Sequence, residues 1–249
     1  MTYGLVLSGG GVRGIAHLGV IKALDEIGIR PSAISGTSAG AIVGTMYAHG
    51  YSPDDILKII LKTKFLYAVR PSLSFTGLLS MEAMEKILKE YLPDDFSNLK
   101  IPITIGTTDL KHGKTVFFSR GELIKPILAS ACIPVIFKPV EIEGVKYIDG
   151  GILNNLPVDP LLRKCDKIIG VHTNPISNNF TGSNAKNILE RTMLMAISGN
   201  TKQNAAHCDY YIEPPELGGY TGMDISKAEE LFEIGYRYTK ENINIFSHQ

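Results

Sequence analysis

Residues 36–40 read Gly36-Thr37-Ser38-Ala39-Gly40, and the fold is decided by what stands on either side of them. Ahead lies Ala33-Ile34-Ser35, apolar and placed to end a strand; behind, Ala41 to Ala48 is small, apolar and suited to begin a buried helix. A serine at such a strand-turn-helix corner has the pattern of a nucleophile elbow. Its strained turn projects the hydroxyl from the sheet edge, and the flanking Gly36 and Gly40 remove Cβ atoms that would block backbone and substrate. Ser38 is therefore the candidate nucleophile. The same string also describes a small-residue turn before an Ala- and Gly-rich helix, so two further stretches bear on the choice.

Upstream, Tyr3 to Ser8 reads as a buried strand running straight into Gly9-Gly10-Gly11-Val12-Arg13-Gly14. A helix follows, because Ile15, Leu18, Ile21, Leu24 and Ile27 recur at three-residue steps and Gly28 is placed to end it. Gly9, Gly11 and Gly14 satisfy the dinucleotide-binding pattern GxGxxG. That reading fails on the next element, whose strand should end in an acid for the ribose hydroxyls and instead ends in Ser35-Gly36; Asp25 and Glu26 come too early. The physics of the loop does not require a cofactor. Unhindered N–H groups at a helix start bind any negative charge, including an oxyanion that exists only during reaction. An oxyanion hole is expected at Gly9, Gly10 and Gly11, with Gly10 and Gly11 as the main donors. Arg13 either adds charge or pins the loop.

Downstream, Phe137 to Ile142 and Val145 to Ile148 form a hairpin over Glu143-Gly144 that delivers the chain to Asp149-Gly150-Gly151. A carboxylate at a strand end before two glycines can be a base or ordinary turn chemistry. Around these stretches the pattern is α/β. Ser52-Pro53-Asp54-Asp55 opens a helix to about Lys62, and Ser80 caps another that stops before Pro93. Strands are expected over Ile101 to Thr107 and Thr115 to Phe118 around His112-Gly113, then a helix over Glu122 to Ala131. Further on come a helix around Val158 to Lys164, a strand Lys167 to Val171, a long helix from about Asn184, a strand Tyr210 to Ile212, and a last helix opened by a capping box of Ser226 and Glu229. Lys64 to Leu79 is apolar without a clean period, and reads as a lid or acyl-chain wall or as satellite core.

Composition narrows the function. The 249 residues, without a linker-like stretch, suit one domain over 1–249. Formal net charge is zero, with 44% hydrophobic and 20% charged residues, so bulk electrostatics selects neither nucleic acid nor an anionic membrane, and the partner is expected to be small or apolar. The N-terminus has no secretory pattern and no apolar run approaches the roughly 20 residues of a membrane-spanning helix, which leads to the expectation of a cytoplasmic protein. Cys132, Cys165 and Cys208 lack the spacing of a zinc site or a disulfide framework.

Taken in order, Ser8-Gly9-Gly10-Gly11-Val12-Arg13-Gly14, Gly36-Thr37-Ser38-Ala39-Gly40 and Asp149-Gly150-Gly151 resemble the signature of the patatin-like phospholipases. Ala129-Ser130-Ala131-Cys132-Ile133-Pro134 looks like that family's Ala-Ser block, and the motifs span roughly the first 150 residues. The resemblance implies a three-layer α/β/α fold around a mostly parallel sheet, and a serine acyl hydrolase that cleaves lipid acyl esters without metal or cofactor. Ser38 maps to the nucleophile, Asp149 to the base, and the glycine loop with Arg13 to the oxyanion hole; Gly14, Gly36, Gly40, Gly150 and Gly151 flank them. The partner is then a lipid or other acyl ester, with transient contact at a membrane surface left open.

The mechanism can also be argued from the residues. Attack by Ser38 requires loss of its proton and stabilisation of the oxyanion. For Asp149 to act as the base, partial desolvation must raise its pKa above the usual carboxylate range. The rival is a Ser-Asp-His triad with His172, at the end of the Lys167 to Val171 strand, oriented by Asp149. An acyltransferase or thioesterase could use the same serine and hole, and a nicotinamide- or flavin-binding module rests on the GxGxxG string alone.

Overall fold

The computed structural model describes residues 1–63, 80–177, 180, 182, 185–222, 224–242 and 244. The Lys64 to Leu79 stretch lies outside the described residues. The chain alternates strand and helix through β1 (Tyr3–Leu7), α1 (Ala16–Glu26), β2 (Pro31–Thr37), α2 (Ala39–His49), α3 (Pro53–Thr63) and α4 (Glu82–Tyr91). It continues with β3 (Ile103–Asp109), β4 (Lys114–Phe118), α5 (Ile124–Ser130), β5 (Val140–Ile142), β6 (Val145–Asp149), β7 (Lys167–Val171), α6 (Ala185–Ala205), β8 (Tyr210–Ile212) and α7 (Ala228–Glu241). Among the described residues no helix is long and apolar enough to cross a membrane.

Local chemistry sets most element ends. A short one-turn helix over Gly11–Ile15 leads into α1, and Gly28 follows α1 at φ +78°, a left-handed conformation that other residues resist. Ser52 Oγ accepts the Asp55 N–H at 3.1 Å, and Ser80 Oγ accepts that of Glu82 at 3.2 Å. Glu143 and Gly144, both at positive φ, make the tight turn between antiparallel β5 and β6.

Two expected features are corrected. Residues 158–164 form successive turns rather than a helix, because Pro157 and Pro160 remove N–H donors at its start and restrict the residues before them. The Ser226–Glu229 capping box does not form either. Asp224 takes both the Ser226 N–H and its hydroxyl, and so caps a single turn over Ile225–Lys227 from which α7 continues.

The strands join in one sheet in the order β5-β6-β3-β2-β1-β7-β8, with β4 also on β3. Strands β3, β2, β1, β7 and β8 are mutually parallel, while β4, β5 and β6 add antiparallel pairings at one side. Alternation along β1 splits the core: Leu5 and Leu7 enter the large core formed with helices α1 to α5 and α7, whereas Val6 enters a smaller one. That second face is covered by Leu156, Val158 and Leu161 from the turns and by Ala205 at the end of α6. The result is α/β with three layers, the third one thin.

One pairing detail positions the site. β3 uses one edge for β4 along Ile105–Asp109, so its other edge serves both β2, along Ile103–Gly106, and β6, along Thr107–Asp109. β2 and β6 therefore meet end to end. Thr37 closes the β2 pairing opposite Gly106, and Asp149 opens the β6 pairing opposite Thr107. Ser38 and Asp149 consequently leave their strands at the same point of the sheet.

Candidate active site

Ser38 occupies the turn between β2 and α2 at φ +52° and ψ −121°, one of three non-glycine residues at positive φ among those described. Such a conformation persists only when the surroundings over-determine it, and here they do. The Ser38 N–H donates to Ser130 Oγ at 2.8 Å, and the Ser130 hydroxyl donates to the Gly106 carbonyl at 2.7 Å, tying the corner to α5 and β3 at once. Thr37 Oγ1 donates to the Asn154 carbonyl at 3.1 Å. A Cβ on Gly40 would lie 2.3 Å from the Leu7 carbonyl oxygen, so only glycine lets α2 start this close to β1. Gly14, Gly36 and Gly150 are closed to a side chain in the same way, by Ala39 Cβ and by the carbonyls of Gly40 and Gly106.

Asp149, at the end of β6, is buried and accepts the Gly151 N–H at 2.8 Å. Burial pushes its carboxyl up to about 6, against the opposing pull of the nearby Ser38 hydroxyl and of the Gly151 N–H. A carboxyl desolvated in this way stands closer to neutrality than a free aspartate. His172 is elsewhere. Its Nδ1 pairs with Glu213 Oε1 at 2.7 Å and its ring stacks near Tyr211, while Nε2 has no hydrogen-bond partner among the described residues. Asp149 does not orient it. His17 is buried beneath the glycine loop with its pKa lowered to about 4 by burial, and its neutral Nε2–H donates to the Ser8 carbonyl at 2.8 Å.

The glycine loop faces Ser38. Gly9 lies so near that a Cβ there would sit 3.2 Å from Ser38 Cβ, but its N–H donates to the Asn155 carbonyl and its carbonyl accepts Asn174 Nδ2 at 2.8 Å. The Gly9 N–H is therefore already engaged and does not point a free donor into the cavity. The N–H groups of Gly10 and Gly11 have no acceptor among the described residues, and both glycines line the cavity. Gly11 adopts φ +56°, and a Cβ there would be 2.4 Å from the Gly222 carbonyl oxygen. Arg13 is buried, lines the same cavity, and donates through Nη1 to the Tyr220 carbonyl at 3.4 Å. It ties the loop to the segment before α7 and stands on the cavity wall.

Ser38, Asp149 and the glycine loop open into one cavity of about 540 Å³. Beyond the polar floor its walls are apolar: Ile133, Pro134 and Ile136 on one side, and Leu189, Met193, Leu194 and Ile197 of α6 on the other. Sequence reasoning did not foresee Asn155, Asn174 or the α6 wall. Asn155 follows the aspartate motif by a few residues, whereas Asn174 and α6 carry no local signal at all. Among the described residues, no three His, Cys, Asp or Glu side chains are grouped to hold a metal ion.

Comparison with known proteins matches residues 5–162 to the family model described as patatin-like phospholipase. An uncharacterized NTE family protein of Mycobacterium tuberculosis is 39% identical over 160 residues, covering 63% of this chain and 44% of its own. The lysophospholipase nte1 of Aspergillus fumigatus is 27% identical over 96% of this chain, which corresponds to 18% of its own length. The chain thus spans less than half the length of these relatives. Among solved structures, VipD from Legionella pneumophila has the same fold, with a TM-score of 0.59 at 19% identity over 99% of this chain and 67% of its own.

Proposed function

Because the chain belongs to the patatin-like phospholipase family, we propose that it is a serine acyl hydrolase of lipid carboxylic esters, working through a Ser38–Asp149 dyad. The observation that carries this reading is the buried Asp149 carboxyl beside Ser38, at the floor of an apolar cavity that no described histidine lines.

Asp149 takes the Ser38 proton as Oγ forms its bond to the ester carbonyl carbon. The negative charge that moves onto the carbonyl oxygen is received by the N–H groups of Gly10 and Gly11, which line the cavity without another acceptor among the described residues. Collapse of the intermediate breaks the ester C–O bond, and Asp149 returns its proton to the departing alcohol. Water then attacks the acyl-Ser38 carbonyl, with Asp149 as the base. The second collapse releases the carboxylic acid and restores the Ser38 hydroxyl. Ser130, Asn155 and Asn174 position backbone and take no proton.

A fluorophosphonate probe and a short p-nitrophenyl ester test this reading together. Wild-type protein is expected to take the label and turn the ester over, and folded Ser38→Ala to do neither. Turnover retained by Ser38→Ala would sink the assignment.

A further inference from the structure

The helix that walls the cavity also presents an apolar face to water. Between positions 185 and 196 of α6, the residues described as exposed are Ala185, Ile188, Leu189, Thr192, Met195 and Ala196, none of them charged. Their spacing of three and four places them on one stripe. A helix on a soluble surface ordinarily turns charged side chains outward and its apolar stripe inward. Here Ile188 is 50% exposed, Leu189 53% and Met195 57%. Leu189 and Ala185 also line the cavity, so the apolar wall passes over its rim and onto the outer surface without a break.

The opposite rim is built alike. Ile133, Pro134 and Ile136 line the cavity, and Val135 among them is 78% exposed at φ +70°. A β-branched residue pays a steric penalty in that region, and the turn spends it to aim an apolar side chain outward. Ile152 lines the cavity and Leu153 after it is exposed.

We propose that this rim, made of Ile188, Leu189 and Met195 of α6 with Val135 and Leu153, is the surface by which the protein docks on a lipid aggregate, with the cavity mouth facing the lipid. The inference rests on the lipid-ester reading of the cavity. A lipid surface is favoured as occupant because the patch is continuous with the wall that would receive an acyl chain. A chain leaving the aggregate could then reach Ser38 without crossing water. The formal net charge of zero calls for binding by apolar insertion, which zwitterionic lipid supports and salt does not weaken.

The test uses the 249-residue Ser38→Ala chain and vesicles of phosphatidylcholine, with and without added salt. It is expected to co-sediment with the vesicles at both salt concentrations. Adding Ile188→Glu and Met195→Glu, or Val135→Asp alone, is expected to weaken partitioning by at least about tenfold, since each sets a charge into the interface. With Ser38 intact, the same variants should keep wild-type kcat/KM on a soluble short-chain ester and lose hydrolysis of vesicle-borne phospholipid. The proposal is overturned if the parent does not bind the vesicles, or if the charged variants bind as the parent does. It is equally overturned if the patch instead forms a dimer, seen by light scattering, that the charged variants dissociate while vesicle binding is unchanged. Failure of the soluble ester and of probe labelling, with vesicle binding intact, would count against the hydrolase reading and not against the surface.

Discussion

The Ser130 hydroxyl is a joint, accepting from the Ser38 N–H and donating to the Gly106 carbonyl. Ser130→Ala leaves both partners buried without a bond and frees the elbow to relax. A displacement on the order of 1 Å at a nucleophile can cost about a hundredfold in rate, so kcat and the rate of fluorophosphonate labelling should fall together while KM changes little. A fall in melting temperature with an unchanged labelling rate would reduce Ser130 to a stability role. Asp149 gives a prediction of opposite sign. Its folded pKa, about 6, stands above the value of 3.8 for a free side chain, so folding favours the protonated form. The stability this holds is fully present below pH 3.8 and lost as pH rises through 6, roughly 3 kcal/mol for a shift of this size. Asp149→Asn should therefore melt higher than wild type at pH 7.5, with the gap closing near pH 4, while activity disappears. Both motif residues were legible because each sits inside a compact string. The joint was not, since Ser130 lies 92 residues from Ser38 and 24 from Gly106; its string could be seen but its partners could not.

At the scale of elements, the glycine loop leaves no room for a side chain. A Cβ on Gly10 would come within 2.3 Å of Thr173 Oγ1. Gly10→Ala is accordingly expected to push the loop away from Ser38 and to lower kcat by two to three orders of magnitude, the scale of a lost oxyanion donor. Thr173→Ala in the same chain should recover part of that loss, because it removes the atom in the way. A double variant no better than Gly10→Ala would show that the clash is not the cause. Strands and helices with a clear period and a local stop were readable from sequence. The helix expected over 158–164 was not there because prolines override an apolar pattern, and the Ser226 cap was displaced by an acid two residues earlier that competes for the same donors.

Across the whole molecule, the pH profile separates the proposed role of Asp149 from that of His172. Loss of activity with acid should have its midpoint near 6, and His172→Ala should leave both the limb and kcat nearly unchanged, since that ring is spoken for by Glu213. A limb that vanishes with His172→Ala would restore the triad. The sequence disclosed the order of the three motifs and their chemistry. It did not disclose that β2 and β6 share one edge of β3, a fact of pairing that no local pattern encodes, nor that α6 closes the cavity.

That shared edge also makes the chain divisible. The turn at His112-Gly113 is exposed, and Gly113 has open space around it. A cut there puts Ser38 on one piece and Asp149 on the other, with β3 on the first and its antiparallel partners β4 and β6 on the second. Neither piece has both halves of the candidate site, so on the proposed dyad ester turnover would signal that two separately made polypeptides have found each other. Fused to a pair of interacting proteins, the pieces would report their association as hydrolysis.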